Sequence, residues 1–167
     1  MSDDSGPYLF DVGVIALAHA ETPVQENALG YVRDAVAGEI DAIVPRTAVL
    51  GAHHVLRNHL GYSNREAAQL LQNFLRAKRI HWYDGVSEAL VHESLSHAGD
   101  ANVEGWDGYY AQVAIAEGVN TVLKIDDDFE RFDAFDTEII LSPAEIPELN
   151  SRLECRAHAA HRHKAPC

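Results

Sequence analysis

Cysteine is nearly absent from this chain, and its two copies, Cys155 and Cys167, both lie in the last stretch. A chain of 167 residues with so few thiols is not held together as a secreted disulfide scaffold. Its length suffices to bury a core of its own, as one domain. Long apolar runs are missing as well: none approaches the roughly 20 residues of a membrane span. The opening residues, Met1-Ser-Asp-Asp-Ser5, are acidic and polar, unlike the basic start of a signal peptide. The expectation is a soluble, cytoplasmic protein with no membrane contact. No glycine-rich loop of the phosphate-cradling kind is present, and no Ser-His-Asp or Cys-His arrangement for nucleophilic catalysis stands out.

Lysine is the other scarcity. Only Lys78, Lys124 and Lys164 occur, and 26 acidic residues face 13 basic ones, for a net charge of −13. Such a balance argues against binding phosphate backbones, which takes Lys and Arg. It also resembles the acid-rich, lysine-poor surfaces of proteins from salt-loving cells, where repulsion is screened within about 3 Å at molar salt. In a halophile, net charge says little about partners.

What is there is an alternation of short apolar stretches with helical patterns. Three capping boxes mark helix starts at Thr22-Pro-Val-Gln25, Ser63-Asn-Arg-Glu66 and Ser142-Pro-Ala-Glu145, each pairing a hydroxyl with a side chain three residues on. The spacing predicts helices over 22–38, 47–58, 63–78, 87–95 and 106–117. Strands are predicted over 8–10, 41–45, 80–83, 121–125 and 138–141. Short apolar strands alternating with helices imply an α/β fold of three layers, with a mostly parallel central sheet and helices on both faces. One domain spans 7–150. The last residues, 151–167, differ in composition, rich in Ala, His and Arg, and read as a flexible tail. Its Cys155, His158, His161, His163 and Cys167 offer Zn²⁺ ligands at spacings that match no known pattern, and its arginines offer a contact for RNA or an acidic partner.

Three acids fall where chemistry is built in such folds. Asp11 follows the strand Tyr8-Leu-Phe10, Asp126 follows the strand ending at Ile125, and Asp107 opens a helix. In a parallel sheet the strands' carboxyl ends share one edge, where ligands bind. Any one of these acids also suits a turn or a helix cap. Gathered together, they repel one another unless a cation sits among them, and hard oxygen donors suit Mg²⁺ or Mn²⁺. Trp82, Trp106, Tyr109 and Tyr110 read as packing residues. A receiver-type signalling domain also clusters acids at strand ends, but neither Pro45 nor Asp84 marks its phospho-accepting position.

The segments around these acids resemble the PIN-domain family. Tyr8-Leu-Phe-Asp-Val-Gly-Val-Ile-Ala-Leu17 is similar to the family's opening, a hydrophobic strand, an Asp and an apolar helix. Trp106-Asp-Gly-Tyr-Tyr-Ala-Gln-Val-Ala-Ile-Ala-Glu-Gly118 resembles the Trp-Asp-Ala segment of VapC-type toxins, and Thr121-Val-Leu-Lys-Ile-Asp-Asp-Asp-Phe-Glu-Arg-Phe132 the closing Asp-x-Asp-Phe segment. The resemblance implies a metal-dependent endoribonuclease, either the toxin of a toxin–antitoxin pair or an RNA-processing enzyme. Asp11, Asp107 and Asp126 would be catalytic and hold Mg²⁺ or Mn²⁺, with Asp128 and Glu104 as further ligands. It also implies RNA as substrate, an antitoxin as partner and a homodimer. Two positions depart from the family: Gly51 stands where a Glu is usual, and Gly13 where Asn, Ser or Thr is usual. With one carboxylate missing, a weakened module that binds RNA or protein without cleavage is the alternative. His53 or His54 offers an imidazole nearby, which suits softer metals, or else lies on a plain helix face.

Overall fold

In the structure, a computed structural model that describes residues 6–125 and 131–151, the short apolar runs become the middle of one sheet. β1 (Tyr8–Phe10), β2 (Ala42–Pro45), β3 (His81–Tyr83), β4 (Thr121–Lys124) and β5 (Asp136–Ile139) lie in the order β3-β2-β1-β4-β5, every pair parallel. Strands buried on both faces need apolar side chains at successive positions. Leu9, Phe10, Ile43, Val44, Val122 and Leu123 supply them.

The helices follow from the connections. α1 (Val12–Ala18) and α2 (Gln25–Ala37) lead from β1 to β2, and α3 (Arg46–Asn58) and α4 (Asn64–Phe74) lead from β2 to β3. Then α5 (Glu88–Ala101) and α6 (Gly105–Glu117) carry the chain back across the sheet to β4. Right-handed crossovers running in opposite directions along a sheet cover opposite faces. Accordingly α1 packs on α2 and α3, α3 packs on α4, and α5 pairs closely with α6. The result is the expected three-layer α/β arrangement. Among the described residues no helix is long and apolar enough to cross a membrane.

Several boundaries differ from the sequence reading for local reasons. The box at Ser63 forms in full, with Ser63 Oγ accepting from the Glu66 N–H and the Glu66 carboxylate accepting from the Ser63 N–H. Half of the box at Ser142 forms, with the Glu145 carboxylate accepting from the Ser142 N–H at 2.7 Å. The box at Thr22 does not form. The Gln25 amide turns away to the Ala18 carbonyl, and α2 starts at Gln25 itself. Thr22 Oγ1 is left buried without a hydrogen-bond partner among the described residues. α5 runs to Ala101, beyond the expected 95, because Asn102 supplies the left-handed cap (φ 55°). α4 ends at Phe74 instead of 78. The tail over 152–167, with its proposed Zn²⁺ ligands, lies outside the described residues.

The α5–α6 contact is unusually close at Gly108. A Cβ there would stand 2.0 Å from the Ser94 carbonyl oxygen and 2.9 Å from Ala98 Cβ. Backbone cannot give way as a side-chain tip does, so a larger residue forces the helices apart. Gly108→Ala is expected to destabilise the fold by about 1–3 kcal/mol, read from the urea midpoint at constant slope.

His19 caps α1 with its ring rather than its backbone alone. Its Nδ1 lies 2.8 Å from the Ile15 carbonyl, to which the neutral ring donates, and the ring stands edge-on to Phe74 at 5.1 Å. Burial lowers its pKa below the ordinary 6.5, more than the Ile15 hydrogen bond raises it. The unfolded chain therefore takes up a proton near 6.5 that the folded chain refuses. The contribution of His19 is intact above that pH and declines as pH falls through it. His19→Gln should flatten this acid-side loss in thermal melts; an unchanged slope would exclude His19 as its source.

Candidate functional site

The strand order reverses direction between β1 and β4, and a crevice opens there at their carboxyl ends, as in other doubly wound sheets. Phe10 pairs with Leu123, and the Asp11 N–H donates to the Leu123 carbonyl at 3.3 Å. Asp11 thus stands beside Lys124 at the end of the pair. Its Oδ1 accepts from the Val12 N–H at 2.6 Å, which fixes the carboxylate at the start of α1.

Asp107 arrives from the opposite layer. It occupies the first turn of α6, where the helix dipole favours a negative charge. Asp11 and Asp107 line one cleft of about 580 Å³, together with Val12, Thr47, Leu50, Gly51, His54, Val55, Trp106 and Tyr110. Tyr110, one turn further along α6, is fully buried beside this cleft. Its pKa is raised well above the ordinary value, first by burial and then by the charges of Asp11, Tyr109 and Asp107. Two of the three acids singled out in the sequence are therefore brought together. Asp126 and Asp128 lie outside the described residues. Glu104 is exposed at the start of α6 and lines a neighbouring recess with Asp107 and Arg131, not the main cleft. Among the described residues no group of three potential metal ligands assembles.

Lys124 is the residue beside these acids that sequence reasoning missed. Its side chain is 3% exposed, and its Nζ lies 3.1 Å from Asp107 Oδ1, whose side chain is 14% exposed. A cation so deep is unfavourable without a partner, and the carboxylate supplies one. The signal was available: Lys124 sits within Val122-Leu-Lys-Ile125, a run otherwise apolar enough for a central strand.

Gly51 and Gly13, the two positions that differ from the PIN pattern, are tightly packed. A Cβ at Gly51 would stand 2.7 Å from Val12 Cγ2, and a Cβ at Gly13 2.7 Å from Ile125 Cδ1. Val12 and Ile125 occupy the space that side chains at 51 and 13 would take. Of the two histidines on α3, His54 is exposed on the cleft wall and contacts Asn58 at 2.9 Å, while His53 reaches the Asn64 carbonyl at 3.4 Å. Trp82 packs edge-on to Phe74, and Tyr109 and Tyr110 are buried as expected. Trp106 is not: it is 55% exposed at the cleft rim, its ring leaning on both tyrosines.

No protein-family model matches the sequence, and no curated protein matches it significantly. Among solved structures the chain is similar to the crystal structure of PAE2754 from Pyrobaculum aerophilum. The TM-score is 0.57 at 14% identity, over 89% of this chain and 98% of that one. The likeness is one of fold. It extends over most of this chain and nearly the whole of the other.

Asp107→Ala should cost about 1–3 kcal/mol of folding stability, because it removes a charged partner of the buried Lys124 ammonium. Asp107→Asn, which retains an acceptor, should cost less. Equal losses in denaturant titrations would show that the charge at 107 is what matters.

Proposed function

We propose that this chain is a metal-dependent endoribonuclease of the PIN type, hydrolysing RNA phosphodiester bonds in the crevice between the ends of β1 and β4. The observation that carries the reading is the convergence of Asp11 and Asp107, from separate layers, on one cleft at the switch point of a parallel sheet. Their oxygens are hard donors of the kind that Mg²⁺ and Mn²⁺ accept, beside waters and substrate phosphate. In this reading Asp126, two positions after Lys124, and Asp128 complete the donor set, and Glu104 is an outer ligand. Such an ion, when bound, activates a water and offsets charge on the phosphate.

The chain's own contributions follow from its geometry. Asp11 is held by the Val12 N–H, and Asp107 is placed by the first turn of α6. Tyr110, with its raised pKa, keeps its proton and stays neutral beside the cleft. The exposed face of Trp106 at the rim offers a base a stacking surface. Screening at high salt would let an acidic chain approach RNA.

A second reading, a module that binds RNA or protein without cleaving, is favoured by two observations: Lys124 already occupies Asp107, and Val12 fills the space at Gly51. Leu50, Val86, Val91, Leu95 and Trp106 are exposed around this cleft and the apolar recess next to it. In a toxin–antitoxin pair these side chains would meet an antitoxin or a second copy of the chain.

The test is cleavage of varied RNAs with Mn²⁺ or Mg²⁺ at high salt. Asp11→Ala and Asp126→Ala should each lower the rate by about a hundredfold or more. Cleavage that survives both substitutions would exclude this crevice as the active site. Absence of cleavage with RNA binding retained would leave the second reading.

A further inference from the structure

The crevice contains a positive charge of its own. Lys124 leaves β4 at the level of Asp11 on the neighbouring strand, and its ammonium meets Asp107 Oδ1 inside the protein. Its side chain is nearly sealed from solvent. A divalent ion that takes Asp107 as a ligand must share or displace the contact this ammonium makes. The two cations repel, and at such depth the repulsion is weakly screened. The acid set is also depleted on the α3 side, where Gly51 lies under Val12 and offers no carboxylate to compensate.

We propose that Lys124 is the built-in cation of this crevice, competing with a divalent metal for Asp107 and so setting how readily the site takes one up. The inference rests on the crevice being a metal site, as under Proposed function, and adds a regulator to it. A strand lysine neutralises one carboxylate permanently, so the described crevice presents a reduced negative charge to an incoming ion. The site then fills only at a higher ion concentration than a purely acidic crevice would need.

The experiment is calorimetric titration of the full chain with Mn²⁺ at high salt, with the Mn²⁺-induced shift of the melting temperature as a second readout. Wild type is compared with Lys124→Met, which keeps the length and removes the charge. Lys124→Gln, which keeps a hydrogen-bond donor for Asp107, makes the same comparison if the Met variant does not fold. The neutral variants should bind Mn²⁺ roughly tenfold or more tightly than wild type. The gain should vanish when Asp11→Asn is added, which locates it in the crevice. If wild type binds Mn²⁺ as tightly as the neutral variants, and Asp11→Asn abolishes that binding, the metal site stands and the competition by Lys124 is overturned. If no form binds Mn²⁺, the metal site itself fails, and the competition with it.

Discussion

The parallel pairing of β1 with β4 is the constraint from which the rest of this architecture follows. Two strands far apart in the chain become neighbours only because the connections on either side of β1 run in opposite directions. Right-handed crossovers then place one set of helices above the sheet and the other below. At the line where the sets part, a cleft opens at the strand ends. Asp11, Lys124 and the start of α6 meet in that gap. These polar groups gather where the carboxyl ends of the central strands open to a cleft.

How tightly the gap closes is decided by small residues. Gly51 admits Val12 between α1 and α3, Gly13 admits Ile125 against α1, and Gly108 lets α6 approach α5 at backbone distance. Each glycine exchanges a side chain for proximity, and the crevice walls are correspondingly apolar: Val12, Leu50, Val55 and Trp106 flank the carboxylates. An apolar surround strengthens every charge interaction within it. The same close packing that leaves α3 without a carboxylate at Gly51 therefore raises the weight of the charges in the crevice.

The layers, the strand order's consequences and two of the acid positions could be read from the sequence, because they rest on period and punctuation. Val122-Leu123 and Ile43-Val44 announce buried strands, and Gly38 and Gly118 end their helices in the left-handed conformation that glycine favours. What escaped was decided by contacts between distant segments. Thr22 and Gln25 have the residue types of a capping box, yet the Gln25 amide finds the Ala18 carbonyl instead. Asn102 extends α5 by adopting a positive φ that is uncommon for non-glycine residues, though asparagine tolerates it better than most. Gly51 and Gly13 looked like missing polar groups, whereas the structure makes them seats for Val12 and Ile125. Trp106 lies on the same helix as two buried tyrosines, and only the position of α6 turns it outward.

Lys124 belongs to this second kind, and its charge bears on the whole chain. A net charge of −13 with three lysines describes a surface from which ammonium groups are nearly excluded. One of the three is nevertheless buried in the central sheet, where an ammonium is costliest. Stability alone does not account for it, since replacing a buried ion pair by apolar side chains of similar size is often neutral or favourable. A screened, acid-rich surface does not account for it either, because Lys124 is not on the surface. What remains is the local electrostatics of the crevice. Asp11 and Asp107 converge on Tyr110, and both carboxylates contribute to raising its pKa. Carboxylates that share one cleft favour a positive charge nearby, and this sequence carries one on the strand beside Asp11, in contact with Asp107.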